Sequence, residues 1–332
     1  MKRRESLGLL ALAPALSLAP VIAWTQIANP SVMMPRIGFL SPTTLEANKE
    51  RIAALRAGLL EHGWAEGRNL AIEFRFAEGR FERLPELARE LARLDLKLII
   101  AINTPGAKAA MTSGGSTPVL FGSVGDPLAV GLVASLARPE GRVTGVANIA
   151  RDLTAKRLQL LKEALPRARR IAVLTNPDDP VTALQETDLR GAAPILGVEL
   201  RFFPVRAVGE IDATVKAIAA WRADGVFRVA EPLLSAARVE LAQALLSQRL
   251  PSMMLSPLEV RAGGLMSYYA LESEQYRMLA RYVDQMLKGA KPGDLPVWQP
   301  TRFELVVNLR TARSLGIAIP QSVLLQATEV IE

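Results

Sequence analysis

Eight polar residues follow short apolar runs closely enough to share one chemical task. Ser41 follows Arg36–Leu40, and Thr104 comes soon after Leu98–Ala101. Ser123 and Asp126 come after Pro118–Phe121, and Asn176 after Ile171–Leu174. Glu231 follows Gly225–Ala230, Ser256 follows Ser252–Leu255, and Tyr268 ends Leu265–Tyr268. These are hydroxyls, an amide, two carboxylates and a phenol, a set that hydrogen-bonds a polar small molecule. Helix N-termini beside them would favour a carboxylate. The same residues also suit plain helix capping. Ser41-Pro42, Asp126-Pro127 and Asn176-Pro177 fit a cap followed by Pro at the first helical position. The two roles are compatible.

Other chemistries have little support. The chain of 332 residues has no cysteine and one histidine, His62. That excludes thiolate zinc, iron–sulfur clusters, a cysteine nucleophile and a multi-histidine metal site. His62 stands beside Gly63 at a helix end and reads as structural. No GxGxxG follows a strand, and no GxxxxGK[ST] occurs. Gly114-Gly115-Ser116-Thr117 precedes a strand and reads as a loop. Asp126 and Glu231 could face one cleft as a catalytic pair, but most such pairs are structural. Trp64, Trp221 and Trp298 read as edge packing.

The elements that must hold these residues alternate. Apolar strands at Arg36–Leu40, Ala71–Phe76, Leu98–Ala101 and Pro118–Phe121 are separated by helical patterns. The first helix runs from Leu45 to His62 with Ile52, Leu55 and Leu59 on one face, and Leu84, Leu87, Leu91 and Leu94 mark the next. The pattern repeats with strands at Ile171–Leu174, Glu199–Val205, Gly225–Ala230 and Ser252–Leu255. Helices are expected at Val181–Leu196, Ile211–Trp221 and Ala236–Gln248. This is βαβ patterning, hence parallel sheets covered on both faces. It forms two blocks, about 36–147 and 150–265, joined by the weakly patterned Gly141–Ala150. A helix over Glu272–Lys288, a late strand Phe303–Val307 and a short helix near Thr311–Leu315 complete the chain. In such sheets ligands bind outside the carboxyl ends of the strands, where the eight residues stand.

Lys2-Arg3-Arg4 precede the uncharged run Leu7–Ala23, as in a secretory signal peptide over residues 1–23, with cleavage expected after Ala23. Arg3-Arg4 leaves twin-arginine export open beside the general route. No cysteine follows the run, so no lipid anchor is expected, and a periplasmic location is. The formal charge is +7, of which residues 2–5 carry a net +2. The basic residues alternate with acidic ones along helices, so no nucleic-acid partner is expected.

Several stretches carry a resemblance. They are Gly58-Leu59 through Ala65-Glu66-Gly67-Arg68-Asn69, Glu73 to Arg80, Leu84-Pro85-Glu86-Leu87-Ala88 and Ser123-Val124-Gly125-Asp126-Pro127. Gly131 to Pro139, Val143-Thr144-Gly145-Val146, Leu287 to Pro292 and Phe303 to Leu309 continue the series. Together these resemble the substrate-binding proteins of ABC transporters, in the family with the streptococcal tryptophan-binding type, over nearly all of residues 36–332. The resemblance implies a type I periplasmic-binding-protein fold: two Rossmann-like lobes, a hinge of several strands and a ligand between them. Lobe 1 would be residues 36–147 plus about 268–295, and lobe 2 residues 150–265 plus about 296–332. It implies a solute-binding protein of an importer, not an enzyme, without a cofactor. It would be a monomer that delivers a polar or carboxylate-bearing ligand to a membrane permease. An amino acid or aromatic acid is one such ligand. A periplasmic sensor, or less readily an enzyme, on the same scaffold is the alternative. Ser41, Thr104, Ser123 and Asp126 would come from lobe 1, and Asn176, Glu231, Ser256 and Tyr268 from lobe 2, with Asp126 or Glu231 taking an ammonium group. Two departures bear on the ligand. Relatives often have Asp where Glu231 precedes Pro232, and Gly where Tyr269 stands.

Overall fold

A computed structural model describes residues 34–332. The expected signal peptide and its cleavage point after Ala23 lie outside the described residues.

The first part of the chain runs β1 (Arg36–Ser41), α1 (Leu45–Glu61), β2 (Ala71–Phe76), α2 (Leu84–Ala92), β3 (Leu98–Ile102), α3 (Asn103–Thr112), β4 (Val119–Val124) and β5 (Val143–Ala147). Its five strands form one parallel sheet in the order β2-β1-β3-β4-β5. β3 is Leu-Ile-Ile-Ala-Ile with every residue buried, because helices cover both faces. Leu84, Leu87, Ala88 and Leu91 turn one stripe of α2 onto that sheet. β5 occupies the segment read from sequence as a linker. Its five residues are all buried, and its short run beside two glycines gives little strand signal.

The second part runs α4 (Thr154–Ala164), β6 (Arg170–Thr175), α5 (Thr182–Leu196), β7 (Glu199–Pro204), α6 (Ile211–Ala220), β8 (Gly225–Arg228), α7 (Pro232–Ala236), α8 (Arg238–Ser247), β9 (Ser252–Met254), α9 (Pro257–Arg261) and β10 (Met266–Ala270). The helix expected over Ala236–Gln248 is α8, and the short α7 precedes it, the two meeting at Ala237. Then come α10 (Glu272–Leu287), β11 (Phe303–Asn308), α11 (Leu309–Leu315), α12 (Gln321–Leu324) and β12 (Glu329–Ile331). The second sheet has the order β12-β11-β10-β9-β8-β6-β7.

The chain crosses between the lobes three times. After β5 it passes through Asn148–Leu153 into α4, whose Leu158 and Leu161 join the core of the second sheet. After β10 it returns, and Tyr276, Leu279, Ala280 and Val283 of α10 pack in the core of the first sheet. Gly58 of α1 permits this contact, since a Cβ there would lie 2.8 Å from Ala280 Cβ. Trp298 then bridges to Val146 of β5, and β11 re-enters the second sheet. That last crossing explains the one exception to parallel pairing. The chain leaves β10 and re-enters β11 at the same end of the sheet, so β11 lies antiparallel to β10. The second and third crossings are tied together by the Leu271 N–H, which donates to the Arg302 carbonyl at 3.3 Å.

Candidate functional site

A cavity of about 50 Å3 lies between the lobes, at the carboxyl ends of the central strands. α1 contributes Ala47, Glu50 and Arg51, and the ends of β3 and β4 contribute Asn103, Thr104 and Ser123. Asn148 and Ala150 come from the first crossing. The second lobe contributes Asp179, Val181, Glu231, Ser235, Arg238, Ser256 and Glu259. Tyr269 and Glu272 stand where β10 passes into α10.

Four of the eight residues chosen from sequence line this cavity: Thr104, Ser123, Glu231 and Ser256. The other four stand behind or beside it. Ser41 is fully buried, and its Oγ accepts from Asn48 Nδ2 at 3.0 Å; the cap of α1 is Thr44, not Ser41. Asp126 turns away: Oδ1 accepts from the Ala129 N–H at 2.9 Å and Oδ2 from Arg151 Nη1 at 2.8 Å. Asn176 is buried and donates to Glu231 Oε2 at 3.1 Å. Tyr268 packs beside Phe303, with ring centroids 5.9 Å apart. Side chains alternate along a strand, so its neighbour Tyr269 faces the cavity instead.

The wall of lobe 1 suits an anion. Asn103 and Ser123 hold φ of 61° and 55°, in the left-handed region, where a non-glycine residue is strained. Their neighbours fix them there. Asn148 Nδ2 donates to the Ser123 carbonyl at 3.0 Å, and Ser123 Oγ donates to Gln275 Oε1 at 3.1 Å. α3 begins at this place, and Ile102 at its N-cap has no side chain that could satisfy the first-turn N–H groups. The positive end of the helix dipole thus meets the cavity beside the Thr104 hydroxyl. The Tyr276 hydroxyl is buried near Ser123, and among the described residues Gln275 Nε2 has no hydrogen-bond partner. Arg51 adds positive charge but is held by Glu272, Nε to Oε1 2.7 Å. Burial opposes that charge, yet Glu272 and the facing tyrosines raise the Arg51 pKa above its ordinary value.

The wall of lobe 2 is acidic and better braced. Glu231 caps α7, accepting from the N–H groups of Leu233 at 2.8 Å and of Leu234. Burial still raises its pKa, against the pull of Arg228, these N–H groups and Asn176. Asp179 accepts from the Val181 N–H at 2.8 Å. Burial and, more weakly, the nearby Glu231 raise its pKa to about 7, although that N–H opposes the shift. Behind them Arg228 grips Glu259 through two hydrogen bonds, at 3.0 and 2.7 Å, with both side chains buried. Arg157 lies deeper, over the Phe227 ring at 4.6 Å, and donates to the carbonyls of Arg228 and Met254. Burial and the adjacent Arg228 push its pKa down to about 9, with Glu259 opposing. Arg238 lines the cavity with no carboxylate partner among the described residues.

Arg51, Asp179, Tyr269 and Glu272 were not among the residues chosen from sequence. Asp179 lies three positions past Asn176 in the same loop, and it is Asp179 that lines the cavity, with Asn176 behind it on Glu231. Arg51 and Glu272 sit on helices, where no strand-end rule looks.

Comparison with known proteins agrees with this architecture. The family model described as ABC transporter substrate binding protein matches residues 37–331. A tyrosine-binding protein of Clostridioides difficile (strain R20291) is 24% identical over 278 residues, 83% of this chain and 78% of the relative. The structure of an ABC domain from Streptococcus pneumonia in complex with L-Trp has 26% identity and a TM-score of 0.81. It covers 90% of this chain and 99% of its own. A conserved domain protein from Vibrio cholerae has 26% identity and a TM-score of 0.83, with the same coverage.

Proposed function

This chain belongs to the ABC transporter substrate-binding proteins, with the type I periplasmic-binding-protein fold, and we propose that it captures a small α-amino acid or closely related carboxylate in the inter-lobe cavity for delivery to a membrane permease. The observation that carries this reading is the polarity of the two walls. An uncapped helix N-terminus with Thr104 and Ser123 faces two buried carboxylates, Asp179 and Glu231, across one small space. A ligand carboxylate would supply the missing cap of α3. A ligand ammonium would offset the two carboxylates, whose pKa values burial raises. Asp179 thus takes the ammonium role given to Asp126 from sequence, with Glu231 kept. The names of the relatives support the class: one binds tyrosine and another holds L-Trp.

The mechanism is closure about the hinge. A zwitterion satisfies both walls only when the lobes are together, so it binds the closed form better and shifts the population toward it. Nothing in this mechanism breaks a covalent bond. We place the exported protein in the periplasm, as a monomer that meets its permease there. Among the described residues no helix is long and apolar enough to cross a membrane.

Thermal denaturation against the twenty amino acids and a set of simple carboxylates tests the reading. A ligand at a hundredfold excess over its dissociation constant stabilises by about 2.7 kcal/mol, a shift easily read. Thr104→Ala and Ser123→Ala should weaken that response by about tenfold or less in affinity each, as lost hydrogen bonds do. Silence across the whole panel sinks the proposal.

A further inference from the structure

Tyr269 stands at the hinge side of the cavity and is the one aromatic residue among those lining it. It is 8% exposed. Its ring joins a small apolar cluster with Ala150, Leu153, Leu255 and Ala270, which leaves it little freedom to swing away. Its backbone is pinned opposite Glu304 in the β10–β11 ladder. Four charged groups from both lobes surround the phenol. Burial, with Glu272 adding, makes it hard to ionise despite Arg51, Arg157 and Arg228. Among the described residues the hydroxyl has no hydrogen-bond partner, although the groups beneath it are closely bonded to one another.

The space left beside this ring is small. A water needs roughly 10–15 Å3 of cavity, so about 50 Å3 holds about four waters. An apolar cavity that takes up benzene is about 150 Å3. With the lobes as they stand, the remaining room fits an amino-acid head group with a short side chain better than one with an added aromatic ring.

We propose that Tyr269 is the specificity-determining residue of this site, a plug that limits the ligand to amino acids with short side chains and whose free hydroxyl hydrogen-bonds the bound ligand. This rests on the amino-acid reading above but sets it apart from the L-Trp and tyrosine ligands of the relatives. Hydrophobic pockets reject a group that is too large through the clash it makes, and the ring of Tyr269 occupies the place such a group would need. The hydroxyl would add a contact that a phenylalanine could not.

The test is calorimetric titration of the full chain and of Tyr269→Ala and Tyr269→Phe with glycine, L-alanine, L-serine, L-tyrosine and L-tryptophan. The wild type is expected to bind one of the three small amino acids and to ignore the two aromatic ones. Tyr269→Ala should gain at least about tenfold in affinity for L-tryptophan, the scale on which side-chain size is discriminated. Tyr269→Phe should still exclude the aromatic ligands but bind the small one about two- to tenfold more weakly. Tight L-tryptophan binding by the wild type overturns the proposal, whatever the variants do. If Tyr269→Ala then loses that binding, the ring is a stacking platform rather than a plug. Amino-acid capture would survive that result, so the two readings fail separately.

Discussion

Asp179 shows how far a single side chain here is held from its ordinary state. Burial brings its carboxyl to about pH 7, while in the unfolded chain it ionises near pH 3.8. Between those values the folded protein holds a proton that the unfolded chain has released. Its contribution favours the fold below about pH 4 and is lost as the pH rises through 7. Asp179→Asn keeps an oxygen for the Val181 N–H and removes the ionisation. The ligand-free variant is therefore expected to be more stable than the wild type at pH 8, by at least about 1 kcal/mol, with little difference at pH 4. Melting curves across that range check it; equal gaps at both pH values overturn it. The same variant should bind an α-amino acid far more weakly, because the ammonium loses a charged partner. At this scale the sequence was half legible. Ser, Asn and Asp past a strand end are good signals for the loop that bears a site, and Thr104, Ser123, Glu231 and Ser256 do reach the cavity. They are poor signals for the residue within it. Which side chain points inward is set by a four-residue turn at Asn176–Asp179 and by one step of strand alternation at Tyr268–Tyr269.

At the scale of elements, the periodicity finds ten of the twelve described strands, because buried parallel strands read as unbroken apolar runs. It passes over the helices α4, α7, α9 and α12 and takes β5 for a linker. It did not find the direction of β11, since pairing sense depends on where the chain re-enters the sheet. It did not find β12 either, which gains its place only through β11. Nor could it foresee that β8 and α9 are joined by a buried ion pair. Arg228 comes from β8 and Glu259 from α9, and Glu259 also accepts from the Leu255 N–H at 2.8 Å. Burial opposes the Glu259 charge, but Arg228, that N–H and Arg157 together hold its pKa below the usual carboxylate range. Glu259→Gln leaves two buried guanidinium groups, Arg228 and Arg157, without their carboxylate. Breaking one member of such a pair costs about 3–5 kcal/mol, so a large fall in melting temperature is expected. Replacement of an exposed carboxylate such as Asp212, which pairs with Lys216 on the same helix, should change stability by less than about 1 kcal/mol. Equal effects of the two substitutions would show that the buried pair is not what holds α9 to the sheet.

The whole molecule works, on this account, by the relative motion of two lobes, and one cluster beside the hinge is built to bias it. Arg151 lies in the first crossing and is anchored to Asp188 of α5 in lobe 2, Nε to Oδ2 3.0 Å. It reaches back to Asp126 of lobe 1 at 2.8 Å. Gly125 lies against Val181 across the same seam, where a Cβ would stand 3.0 Å from Val181 Cγ1. These contacts join the lobes without any ligand, so they should set how often the empty protein is closed. The groups are partly exposed, and pairs of this kind contribute at most about 1 kcal/mol. Asp126→Asn can keep the oxygen that accepts from Ala129 and gives up the cross-lobe charge. It should lower the ratio of closed to open molecules by about two- to fivefold. Because the chain has no cysteine, single cysteines at the exposed Leu60 and Ile195 would carry spin labels cleanly, one on each lobe. In the ligand-free protein the distance distribution between them is expected to move to longer values in Asp126→Asn and in Arg151→Gln alike. High salt should move the wild type the same way and the variants much less. A distribution that neither substitution alters would mean that the Asp126–Arg151 pair merely decorates a hinge whose balance is set elsewhere.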